Sequence, residues 1–250
     1  MMEIEIPSIT NPGVAFTENT YEIMQRIEGY FKKRNLGDCQ INYKGLQQMY
    51  MEEDPKGDSK IRMVFPLFRK AGCIYPDDKG HVVFMNGTFL TPLGMMFHKA
   101  SRLYYELMKL TPPERVQQDA SLQLLVEKVR KLYSGISKQV FLNLSESILG
   151  YKHLFRFILE YGPVTKEETN LLLYSLEKTS SARGKINDTS YEKKEIDELV
   201  AEFRSQNLTL RFDKANNAAS YFLSILKSLL LIEEVEGGFI VTQESKMLFE

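Results

Sequence analysis

Lys60, Arg62, Arg69 and Lys70 sit on a segment whose apolar residues Ile61, Val64, Phe65 and Phe68 recur at helical spacing. That stripe turns Ser59, Arg62, Met63, Pro66, Arg69 and Lys70 outward, with Lys60 at its margin. Arginine offers a planar fork that bonds guanine edges in a major groove, and lysine suits a phosphate contact. A second set lies near the C-terminus: Arg211, Lys214, Asn216, Asn217, Ser220, Tyr221, Ser224 and Lys227. Asn217, Ser220, Ser224 and Lys227 fall opposite the face formed by Ala219, Phe222, Leu226 and Leu229. Asn216 and Asn217 open that helix, at the end that reaches base edges, and an Asn amide pairs bidentately with adenine. Arg183, Lys185, Lys193 and Lys194 are spaced to follow a phosphate backbone. Each residue also has a simpler use, since Asn commonly caps helices and exposed Lys and Arg are commonly just solvated.

Other chemistry finds little purchase. Asp77-Asp78-Lys79 and Glu244-Ser245-Lys246 are fragments of the carboxylate-lysine sets that hold Mg²⁺ in nucleases, at places that turns and tails explain. No phosphate-cradling glycine loop and no Gly-x-Ser-x-Gly elbow occurs. His81, His98 and His153 have no metal-ligand spacing with Cys39 or Cys73. No catalytic residue, metal or cofactor is therefore expected. The two cysteines read as reduced thiols, although a bond between them is open.

The elements that must position these residues follow from periodicity and turn signals. Residues 1–14 read as an irregular lead-in, with Asn11-Pro12-Gly13 as a turn. A helix capped by Thr17 and stopped at Asn35-Leu36-Gly37 comes first, then a short one over 44–52, then a third from Asp58, which Pro66 should kink or split. Ile74-Tyr75, a turn at 77–80 and a longer strand over 81–91 complete that unit. Helices over 92–110 and about 114–133 form a hairpin or connector, whose apolar faces could also carry a homodimer or a protein partner.

From Ser147 a helix ends at Tyr161-Gly162-Pro163, and Thr165-Lys-Glu-Glu168 is a capping box opening a short helix. Residues 179–213 then intervene, as a mobile polar loop and a helix over 191–206. The helix from Asn216 follows, with a hairpin of Leu231 to Val235, Gly237-Gly238 and Phe239 to Thr242.

A helix followed by such a hairpin resembles the recognition helix and wing of a winged-helix domain, and the order occurs twice. Phe89-Leu-Thr-Pro-Leu-Gly parallels Phe239-Ile-Val-Thr-Gln-Glu-Ser. The resemblance implies a mainly α chain with small β-hairpin wings (α+β): two winged-helix-like domains, 15–110 and 147–250, joined by a helical connector over 111–146, with an insertion at 179–213. Tandem winged-helix units occur in plasmid replication initiators and in the recognition portions of some type IIS restriction enzymes. The resemblance thus implies sequence-specific binding of double-stranded DNA, as a transcription regulator, an initiator or the specificity module of a nuclease system.

Composition supplies the counterweight. Hydrophobic content of 43% with 26% charged residues is ordinary for a globular chain, and no apolar run reaches membrane-spanning length. The N-terminus lacks a secretory pattern, so a cytoplasmic location is expected. A net charge of −1 is low for a nucleic-acid binder, and Asp77-Asp78 and Glu233-Glu234-Val235-Glu236 put acid on both wings. Those features suit a winged-helix scaffold for protein contacts. A nuclease with an unrecognised metal site is a third reading.

Overall fold

The computed structural model describes all residues except 1, 11–12, 35–36, 53–56, 76–80, 213–216 and 250, and leaves out the side chains at 57–60, 63, 114 and 115. The described chain is mainly helical, with a few short strands in two-stranded sheets. It divides into two compact units, residues 16–143 and residues 1–15 with 144–250.

The chain opens with β1 (Met2–Ile6), which belongs to the second unit, and the first unit begins with α1 (Glu18–Lys33). Thr17 precedes α1 without a side-chain cap bond; its hydroxyl faces that of Thr20 at 3.4 Å. Then come β2 (Cys39–Ile41), α2 (Tyr43–Met51), α3 (Gly57–Lys70) and β3 (Val82–Phe84). Asn42 caps α2 by accepting from Gly45 N at 2.6 Å. Pro66 lies inside α3, which runs unbroken. The amide it lacks is one bond of the helix, and burial of Ile61, Val64, Phe65, Leu67 and Phe68 holds the turns around it.

The strand expected over 81–91 is shorter than its pattern. β3 pairs antiparallel with β2, Cys39 opposite Phe84, while Ile74 forms an isolated bridge with Leu90. Asn86 and Gly87, both at positive φ, turn the chain between Met85 and Thr88. The turn expected at 77–80 lies outside the described residues.

α4 (Pro92–Leu110) is capped by Thr91, which accepts from Gly94 N at 3.0 Å and donates to the Gly72 carbonyl at 2.7 Å. Gly94 has to be glycine, because a Cβ there would overlap the Cys73 carbonyl. The helix expected over 114–133 is two helices, α5 (Pro113–Gln118) and the 28-residue α6 (Ala120–Ser147), divided at Asp119. The Asp119 carboxylate accepts from Ser121 N and Leu122 N, so it stops one helix by starting the next. Phe97 and Tyr104 of α4 stack on Tyr133 of α6 at 5.7 and 4.9 Å between ring centroids. The core joins them to Phe31, Phe65, Phe68 and Phe89.

In the second unit residues 2–6 are not an irregular lead-in. β1 pairs in parallel with β4 (Leu208–Phe212), Met2 opposite Leu208 and Ile6 opposite Phe212. The Glu-Ile-Glu-Ile alternation puts Ile4 and Ile6 into a core with Leu171, Leu199 and Leu208. The other elements are α7 (Leu149–Tyr161), α8 (Lys166–Thr179), α9 (Lys193–Arg204), α10 (Ala218–Ser228), β5 (Ile232–Val235) and β6 (Gly238–Val241). The capping box is formed: Thr165 Oγ1 accepts from Glu168 N at 3.1 Å, and Glu168 Oε2 accepts from Thr165 N at 2.7 Å. Glu168 is buried, and its other oxygen accepts from Arg204 Nε at 2.5 Å.

The loop expected to be mobile is tied down among these elements. Ser180 Oγ donates to Asp188, Gly184 N to Glu177, and Ser190 N to Thr179 Oγ1. The carbonyls of Ile186 and Asn187 take the amides of Gly150 and Leu149, which open α7 and have no partner within their own helix. Polar composition here serves a folded loop.

Candidate nucleic-acid interface

α10 positions the second residue set. Ala218, Ala219, Phe222, Leu223, Ile225 and Leu226 bury its inner side, which turns Asn217, Tyr221, Ser224 and Lys227 to the surface and leaves Ser220 half-buried. Asn217 stands at the N-cap position with φ −109° and ψ 12°, and its side chain makes no cap bond. The amide is not spent on the helix end, the commonest alternative use for it. Tyr221, 36% exposed, lies one turn on. No acidic residue occurs in α10.

Two features alter the expected set. Lys227 Nζ lies 2.5 Å from the Glu234 carboxylate on β5, so the hairpin neutralises the last cation of the helix. Glu233, Glu234 and Glu236 are all exposed on that hairpin. Arg211 is exposed on β4, in register with Glu5 of β1, and Phe212 beside it is 44% exposed. Lys214 and Asn216 lie outside the described residues.

α3 positions the first set. Arg62 is exposed and Arg69 and Lys70 are half-buried. The Arg69 guanidinium lies over the Tyr43 ring, 5.7 Å from its centroid, which fixes the side chain against α2. Burial pushes the Tyr43 hydroxyl above its ordinary pKa, with Arg69 opposing, so the ring beneath the guanidinium is neutral. Lys60 is in α3, with its side chain outside the description.

The cations at 183–194 divide. Arg183, Lys185 and Lys194 are exposed. Lys193 instead belongs to a network that joins α9 to α7, 3.1 Å from Glu160 and 3.8 Å from Asp197. Burial opposes the charge on Glu160, but hydrogen bonds from Arg156, Lys193 and Tyr191 outweigh it and hold the carboxyl below the usual range. The structure therefore brings together Asn217, Ser220, Tyr221, Ser224 and Lys227 on one helix, and Arg62, Arg69 and Lys70 on another. Glu234 and Tyr43 are the participants that local periodicity misses; each is a partner contributed by a neighbouring element.

Among the described residues no three of His, Cys, Asp and Glu are grouped to hold a metal, and Cys39 and Cys73 are unbonded thiols. Burial pushes the Cys73 thiol up to about 12. The fragment at 77–79 lies outside the described residues. No described helix is long and apolar enough to cross a membrane. No protein-family model, curated protein or solved structure matches the chain.

Proposed function

We propose that the chain binds double-stranded DNA sequence-specifically through α3 and α10, each acting as the recognition helix of a winged-helix-like unit, in a regulator, an initiator or the specificity module of a nuclease system. The connectivity supports the fold part of this reading. In both units the link between the first two helices pairs antiparallel with the last strand: β2 with β3, and Val164 with Phe239 of β6. In the second unit α9 and β4 are inserted between the second and third helices.

The observation that carries the reading is α10 itself. In a chain with 33 acidic residues, this helix has none and turns Asn217, Tyr221 and Ser224 outward. Those side chains donate, accept and stack, as base edges require. The test is enrichment from a random duplex pool at two salt concentrations. The reading expects one motif to be enriched, and Asn217→Ala and Arg62→Ala to relax it at different positions. No enrichment contradicts it.

The exposed acids of the β5–β6 hairpin favour a second reading, a winged-helix scaffold for a protein. It expects no duplex motif and a partner retained at high salt.

A further inference from the structure

We infer that the cleft between β1, α8 and the loop that follows α8 binds a small basic amino acid, a ligand with one carboxylate and two ammonium groups in the manner of L-lysine. The cleft measures about 490 Å³ and is lined by Glu5, Pro7, Ser8, Tyr174, Glu177 and Arg183. That volume lies within the range of small-molecule sites.

Segments far apart in the sequence build the cleft, and each is held in place. Ile4 and Ile6 anchor β1 in the core, so strand alternation turns Glu5 outward between them. Tyr174 packs against the same core, and Lys178 Nζ lies over its ring, 4.3 Å from the centroid. The loop is tied to both neighbours: Thr10 N donates to the Gly184 carbonyl at 2.7 Å, and Gly184 N donates to Glu177 Oε1 at 3.1 Å. Gly184 has φ 72°, a left-handed turn that glycine makes without strain, directly after Arg183.

The charges select the ligand. Glu5 and Arg183 line one cleft, yet among the described residues neither has an ion-pair or hydrogen-bond partner. Arg211 stands opposite Glu5 in the β1–β4 register and leaves it unpaired as well. Glu177 gives Oε1 to the loop and keeps Oε2. Opposite charges held apart around one cleft complement a molecule that carries both signs, and a ligand of one sign meets repulsion from the other set. The Arg183 guanidinium offers the planar fork that a carboxylate accepts in two bonds. Two carboxylates face that single guanidinium, so the lining matches a ligand with two cationic groups and one anionic group. The Tyr174 ring provides an apolar wall for the methylene chain between them.

The inference does not depend on DNA binding and is tested without nucleic acid, by calorimetry on the full chain. L-lysine should bind at one site with a dissociation constant of about 1 mM or tighter. Cadaverine, which lacks the carboxylate, and L-glutamate, which has a second carboxylate in place of the side-chain ammonium, should each bind on the order of ten-fold more weakly. Arg183→Gln should weaken L-lysine on the order of ten-fold and leave cadaverine unchanged, which erases the preference between them. Glu5→Gln should weaken both. The two positions are exposed, so circular dichroism should be unchanged in either variant. Absence of saturable heat with L-lysine at several millimolar overturns the inference. So does cadaverine or L-glutamate bound as tightly as L-lysine, or an Arg183→Gln chain that still prefers L-lysine to cadaverine.

Discussion

Replacing Glu234 with Gln removes the carboxylate that holds Lys227, the cation of α10. The Lys227–Glu234 pair is 2.5 Å long, but its side chains are 52% and 60% exposed, so solvent screens it. Exposed pairs of this kind contribute about 0.2–1 kcal/mol. If Lys227 has to leave Glu234 to meet a phosphate, that amount opposes binding, and its loss tightens the complex roughly 1.4- to 5-fold at fixed salt. Lys227 meets the phosphate in both proteins, so the salt dependence of log K keeps its slope. The assay is fluorescence anisotropy with the selected duplex over a salt series, for Glu234→Gln, Lys227→Gln and the double variant. The gain should appear in the first, be absent from the third, and turn into a loss in the second. Unchanged affinity in Glu234→Gln, or the same gain without Lys227, would refute the competition between hairpin and phosphate.

Three other perturbations test separate parts of the account. Glu168→Ala removes half of a capping box and leaves Arg204 without its carboxylate; the expected loss is about 2–4 kcal/mol, read as a lower urea midpoint, and a shift below about 0.5 kcal/mol would contradict it. Asn217→Ala should alter stability by less than about 0.5 kcal/mol, because no cap bond is lost, while duplex selectivity falls; a large stability loss would reassign the residue to capping. Burial lowers the pKa values of His98 and His153, against the Glu28 carboxylate in the first case and the Thr189 carbonyl in the second. The unfolded chain then binds more protons than the folded one as pH falls below the ordinary histidine value of about 6.5. Stability is full above that value and declines toward the depressed folded values, so the urea midpoint should be lower at pH 5 than at pH 7.5. His98→Gln should remove part of the slope.

Elements with strong local signals were legible in the sequence. The Thr165–Glu168 box, α4 behind its Thr91-Pro92 start, and α10 with its hairpin all follow from spacing within a dozen residues. Elements defined by a distant partner were not. The alternation in Met2–Ile6 is a strand signal, but the strand that makes it useful lies about two hundred residues away at Leu208–Phe212. The short β2 likewise becomes visible only through β3. The polar stretch after Thr179 reads as mobile because its anchors are contributed by Thr10, Leu149 and Gly150. The same division holds at the interface. Periodicity identifies the outward positions of α10, and only the fold reveals that Asn217 is not capping and that Lys227 already has an acid beside it.

The central claim is that α10 and α3 read duplex DNA, and equilibrium binding of the intact chain to its enriched duplex over a salt series tests it most directly. The account predicts affinity that falls linearly in log salt, with the slope reduced by about one on Lys227→Gln. Binding that is absent, or whose salt slope and sequence preference are indifferent to Arg62, Asn217 and Lys227, would contradict it.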